Sequence, residues 1–185
     1  RTKRVLNELI DKDPSAYTDM NGRQCRFPKH SAKTYPLDET DNDREKAKQI
    51  RELTKELKGV LYFRKEISLP LALRKRGLTE QRFLQGRLNG ANKLSQYTVM
   101  SALRSSRAAL LEHLLCTVAA ANQSNIQSFT KNTKTGDVIG RLAKAAGKPP
   151  KSSLTIELPD WLSDPEAHRI ACKREIEIYQ AITKL

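Results

Sequence analysis

Apolar residues recur every three or four positions in one stretch of this chain after another, and that spacing marks helices that each bury one face. Val5, Leu6, Leu9 and Ile10 show it first, and Ala47, Ile50, Leu53 and Leu57 repeat it. Ala108, Leu111, Leu115, Val118 and Ala119 carry it through the most apolar window, and Ala167, Ile170, Ala171, Ile178, Ala181, Ile182 and Leu185 close the chain with it. Clean alternation, the mark of a half-buried strand, is confined to 154–159 (LTIELP). The expected fold class is therefore mainly α: a small multi-helix bundle with at most one or two short strands. A chain of 185 residues, 38% of them hydrophobic, can close one core and carry appendages.

Start and stop signals divide the chain further. A helix over 1–11 should end before Asp13-Pro14. Residues 12–41 lack a period and read as an extended arm pinned by Tyr17, Phe27 and Tyr35, or as a mobile one. Thr40 to Asp43 offer side-chain oxygens that cap the next helix, which Gly59 stops. Residues 60–67 fit either a short strand or a continued helix. Short helices are then expected over 69–76, over 80–88 behind the cap Thr79, and over 96–104 behind the cap Ser95, with a sharp turn at Asn89-Gly90. A longer helix over 107–121 is expected at the centre of the fold. Residues 122–136 read as a loop, 137–146 as a small helix, and 148–153 (KPPKSS) as a linker. The chain thus divides into an N-terminal helix and arm (1–40), a basic helical body (41–147), the linker (148–153), and a short strand with a docking helix (154–185).

The charge is unevenly spread across those parts. The formal net charge is +13, from 34 Lys and Arg against 21 Asp and Glu. By segment it is +2 over 1–40, +6 over 41–90, +7 over 91–153 and −2 over 154–185. A concentrated excess points to a face for a polyanion, where a uniform one would only aid solubility. Between 91 and 153 the only acids are Glu112 and Asp137. The candidate phosphate-binding residues are Arg74, Lys75, Arg76, Arg82, Arg87, Lys93, Arg104, Arg107, Lys131, Lys134, Arg141, Lys144, Lys148 and Lys151, because such cations bind phosphates by releasing counterions. The three short helices resemble a helix-turn-helix over about 30 residues, with Gly86 and Gly90 near the crossing and Gln96, Thr98, Arg104 and Arg107 as candidate groove contacts. The turn is longer than that motif normally has, and ordinary bundle helices are the competing reading.

The function expected from this pattern is non-enzymatic nucleic-acid binding in the cytoplasm, with duplex DNA favoured over RNA. The alternatives are an RNA-binding subunit of a ribonucleoprotein, to which the irregular 12–41 segment is suited, and an adaptor for an acidic protein. Only 5% of residues are aromatic, which disfavours a single-strand reader that stacks bases. The apolar stripe of the last helix raises a homodimer or partner contact as an alternative to core packing. No apolar run approaches the ~20 residues of a membrane span, and no retained secretory signal is expected.

Three cysteines at wide spacing do not make a disulfide framework and fit a reducing compartment. Cys25 with His30, His113 with Cys116, and His168 with Cys172 raise a zinc reading, but without a CxxC no metal site is expected. Gly147-Lys148 lacks the spacing of a phosphate loop, Glu56-x-Lys58 is common in charged helices, and Tyr179 near His168, Arg169 and Arg174 lacks the rest of a tyrosine-nucleophile pocket. No catalytic residue and no cofactor is expected.

Overall fold

The computed structural model describes residues 3–24, 26–27, 39–126 and 136–185. Contacts divide the chain into two units, Arg1–Asp38 and Glu39–Leu185.

In the first unit, α1 (Lys3–Lys12) ends where Asp13-Pro14 was expected to end it, and a single 3-10 turn follows at Ser15–Tyr17. The chain then doubles back. Thr18 pairs with Gln24, the Asn7 side chain exchanges two hydrogen bonds with the backbone of Phe27, and Arg26 pairs with Asp11 at 2.8 Å. The backbone of Phe27 is thus tied to α1 through Asn7, and Tyr35 lies outside the described residues.

The second unit opens with α2 (Asp41–Lys55). Thr40 accepts the backbone N–H of Asp43, and the Asp43 carboxylate accepts that of Thr40, a reciprocal capping box. Residues 60–63 form a 3-10 turn, and α3 (Leu71–Arg74) is a single helical turn. Then comes α4 (Glu80–Ser105), 26 residues long, or about 39 Å.

The continuity of α4 overturns the helix-turn-helix reading: Asn89 and Gly90 are helical, and there is no turn between residues 88 and 96. The reason is phase. Leu84, Leu88, Ala91, Ser95 and Val99 form one unbroken inward row at spacings of four and three, so core packing runs straight through the expected turn. Ser95, expected as a cap, is buried and donates instead to the Ala91 carbonyl one turn back.

The expected helix over 107–121 is two helices, α5 (Arg107–Leu115) and α6 (Thr117–Gln123), broken at Cys116. Cys116 has φ 104° and ψ 166°, a conformation that L residues rarely adopt. The break rotates the burial pattern: Leu110, Leu111, Leu114, Ala120 and Ala121 are buried, whereas the expected core residue Val118 is 58% exposed. After α7 (Val138–Ala145) and the single turn α8 (Asp160–Ser163), α9 (Pro165–Lys184) runs to the end of the chain, capped by Asp164 and begun by Pro165.

α9 packs on α2, α5, α7 and α8. Its buried row is His168, Ala171, Cys172, Glu175, Ile178, Tyr179 and Ile182, mixed polar and apolar, while Ile170 is 60% exposed. Most of the apolar stripe is therefore buried in the core, the packing alternative to a dimer or partner contact. Just beyond the end of α2, Gly59 lies between α9 and α4. Gly59 (φ 79°) donates its N–H to the buried Glu175 carboxylate at 2.6 Å, and Val60 donates to the same oxygen at 3.3 Å. A Cβ at Gly59 would stand 2.5 Å from the Ala91 carbonyl oxygen of α4, so this crossing admits only glycine.

A second cluster, Phe63, Ile67, Leu84, Ala91 and Leu162, is edged by Trp161 in a T-shaped contact with Phe63. Residues 148–153, read as a linker, are tied to it: Ile67 donates to Lys151 at 2.9 Å and accepts from Ser153 at 3.1 Å. The expected strand over 154–159 is not a strand. Leu154, Ile156 and Leu158 do face this cluster in alternation, but the segment has no ladder partner, and isolated bridges are the only β pairing among the described residues.

Candidate nucleic-acid interface

Every described cation among the candidates has an exposed side chain, although their surroundings differ. Arg74 is held at 2.8 Å by Glu80, whose other oxygen accepts the backbone N–H and hydroxyl of Thr155. Those Thr155 bonds, foremost the backbone one, keep the Glu80 carboxyl below the usual carboxylate range, so its charge is already answered locally. Arg87 lies over the rings of Phe63 and Phe83 at 5.6 and 6.0 Å and donates to the Tyr62 carbonyl. It is a packing residue as much as a surface one.

Lys75, Arg76, Arg82, Lys93, Arg104, Arg107, Arg141, Lys144, Lys148 and Lys151 make no ion pair among the described residues. The contrast with α2 and α9 is physical. There Arg44, Lys55, Arg169 and Arg174 are each matched by nearby carboxylates, the ordinary pattern of a solvated helix. Beyond Glu80, α4 carries no acidic side chain at all. Lys131 and Lys134 lie outside the described residues.

Helical phase sorts the α4 residues. Arg82, Lys93 and Arg104 are each eleven residues apart, a step that brings an α-helix back to within about 20° of the same direction. They therefore share the face opposite the buried row. Gly86 and Gly90 lie along that face with open space where a Cβ would stand, and Tyr97 is 63% exposed there. The eleven-residue period is present in the sequence, but a turn placed at Asn89-Gly90 hides it.

Gln96 and Thr98 do not join this face as base readers. Gln96 is half-buried and bonds the Asn92 side chain, and the Thr98 hydroxyl donates to the Leu94 and Ser95 carbonyls. The groove role expected for them belonged to a recognition helix that does not exist. Arg107 begins α5 at the rim of a hollow of about 180 Å³ floored by Ile50, Leu103, Leu110 and Ile182. Arg141 on α7 stands near His113 of α5, whose basicity is lowered by burial first and by that arginine second. Lys144 occupies the last turn of α7, and Lys148 and Lys151 follow it.

The Cys–His pairs fare unequally. His168 and Cys172 do meet, with Sγ 3.7 Å from Nδ1, but both are buried. Burial lowers the basicity of His168, and burial with the nearby Glu175 charge pushes the Cys172 thiol up to about 11, so both groups are neutral near pH 7. No group of three or more metal-ligating side chains occurs among the described residues. Cys25 and His30 lie outside them. Tyr179 is buried, and its phenol is pushed well above its ordinary range by burial, which keeps its oxygen protonated. Arg169 and Arg174 are engaged with Glu166 and Glu56, and Lys58 lies over the ring of Trp161 at 5.5 Å. No described helix is long and apolar enough to cross a membrane.

The chain matches no known protein family, no curated protein and no solved structure.

Proposed function

We propose that this protein binds nucleic acid through phosphate contacts, with duplex DNA as the preferred ligand, in a reducing cytoplasmic setting. The observation that carries the reading is the partition of acids: α2 and α9 interleave carboxylates with their cations and pair Arg44, Lys55, Arg169 and Arg174, whereas α4 past Glu80 and α7 hold no acid, and their cations, with Lys148 and Lys151, stand exposed without ion pairs among the described residues. Unpaired cations held on a folded surface gain most from a polyanion, because each phosphate they neutralise frees condensed counterions. Base readout has lost its support with the turn at Asn89-Gly90 and the internal bonding of Gln96 and Thr98. The contact proposed is therefore with the backbone and tolerant of sequence.

The test is retention of the intact chain on duplex DNA, single-stranded DNA and structured RNA over a salt series. Strongest retention on duplex DNA, unchanged when its sequence is scrambled and falling steeply with salt, is expected. Retention on none of the three, or retention indifferent to salt, would overturn the reading.

A further inference from the structure

The outward face of α4 has a period that duplex DNA shares. Arg82, Lys93 and Arg104 stand eleven residues apart on one face, so their Cα atoms are about 16 Å apart along the helix and about 33 Å end to end. One turn of B-form duplex is about 34 Å. A line drawn along the outside of a duplex crosses one strand, then the other, then the first again after that full turn. The middle crossing lies about 3 Å off the midpoint, half the difference between grooves about 12 and 6 Å wide, and a lysine side chain spans that offset.

The geometry points to α4 as a rod that lies along B-form duplex DNA, with Arg82 and Arg104 on phosphates of one strand a turn apart and Lys93 on the strand between. This rests on the nucleic-acid reading above and specifies its contact element. Charge complementarity supports the occupant: past Glu80 the helix has no acidic residue, and Glu80 is itself taken up by Arg74 and Thr155. The relief supports it as well. Gly86 and Gly90 lower the relief along one flank of that face between the first two cations, with the exposed Asn89 on the other flank, and the exposed Tyr97 sits between the last two.

The experiment compares the intact chain with two triple variants of equal charge change, Arg82→Ala/Lys93→Ala/Arg104→Ala on α4 and Arg141→Ala/Lys144→Ala/Lys148→Ala around α7, on a 12-base-pair duplex across a salt series. The α4 variant should lose at least about tenfold in affinity at moderate salt, and the slope of log K against log salt should become shallower by roughly 2.7, the share of three phosphates. The α7 variant should lose less. Alanine favours helix, so both variants should keep the parent's helical content, and Arg82→Lys/Arg104→Lys should keep the parent's affinity. Length gives a second readout: a 6-base-pair duplex spans only about 20 Å, so Arg82→Ala/Arg104→Ala should cost it about half the log-affinity lost on 12 base pairs. Equal losses from the two triple variants, or equal losses on both lengths, would overturn the rod while leaving phosphate binding intact. No binding by the parent would remove both.

Discussion

At the scale of single residues, three positions decide how closely the helices approach. Gly59 is caught between the Ala91 carbonyl and the Glu175 carboxylate, and Gly136, at φ 83°, would place a Cβ 1.8 Å from the Glu112 carbonyl oxygen. Neither neighbour can yield, because the first is a helix backbone and so is the second. Gly59→Ala and Gly136→Ala should each destabilise the fold by on the order of 2–4 kcal/mol in chemical denaturation. Cys116 is the reverse case, an L residue where glycine belongs, so Cys116→Gly should raise stability by about 1 kcal/mol. Loss of stability in that variant would show that the α5–α6 break is not strained.

The buried ionisable groups of the Glu39–Leu185 unit add a pH dependence of mixed sign. Burial lowers the basicity of His168 and His113, so as pH falls below the ordinary 6.5 the unfolded chain takes up protons first and stability declines through their folded values. Burial raises Glu175, against the pull of the Val60, Gly59 and Lys58 backbone N–H groups, so its contribution is fully present below 4.5 and is lost as pH rises. Denaturation midpoints across pH should therefore fall off less on the acid side in a His113→Gln/His168→Gln variant, and less toward neutral pH in Glu175→Gln. Unchanged pH profiles would contradict these assignments. None of this was legible in the sequence, because Glu175 and His168 occupy core positions that the apolar pattern assigns to hydrophobic neighbours such as Ile170.

At the scale of elements, the caps were legible and the breaks were not. Thr40 and Thr79 each accept a backbone N–H at the helix start where the sequence placed them, although Ser95 caps nothing. Asn89-Gly90 and Cys116 show the failure in both directions. Turn-forming residues stayed helical because the inward row of α4 keeps its phase through them, so tertiary packing outweighed local propensity, whereas an apolar run with no turn signal broke at Cys116, which holds a rare positive-φ conformation. The continuous α4 makes a direct prediction. Gly86 and Gly90 lie in helix interior with open space around them, so Gly86→Ala and Gly90→Ala should each stabilise the protein by about 0.5–1 kcal/mol in thermal or chemical denaturation. A turn at Gly90 with positive φ would instead make Gly90→Ala destabilising.

At the scale of the molecule, segment charge carried more information than total charge. The excess over 41–153 is legible from composition alone, but composition cannot distinguish Arg44 and Lys55 of α2, which carboxylates neutralise, from Arg82, Lys93 and Arg104, which stand free. Nor could it show that Arg87 serves packing, or that residues 148–153 are tied to Ile67 instead of hanging free. What remains after those subtractions is a helical body with one acid-free helix face and a second group of cations at and beyond α7. We propose that this surface holds duplex DNA by its phosphates. The most direct measurement is the salt dependence of binding between the intact chain and a 12-base-pair duplex. A slope of log K against log salt of roughly −2.7 or steeper is expected, since three or more phosphates are neutralised at about 0.9 each. A slope shallower than about −1, or no measurable binding at low salt, would contradict it.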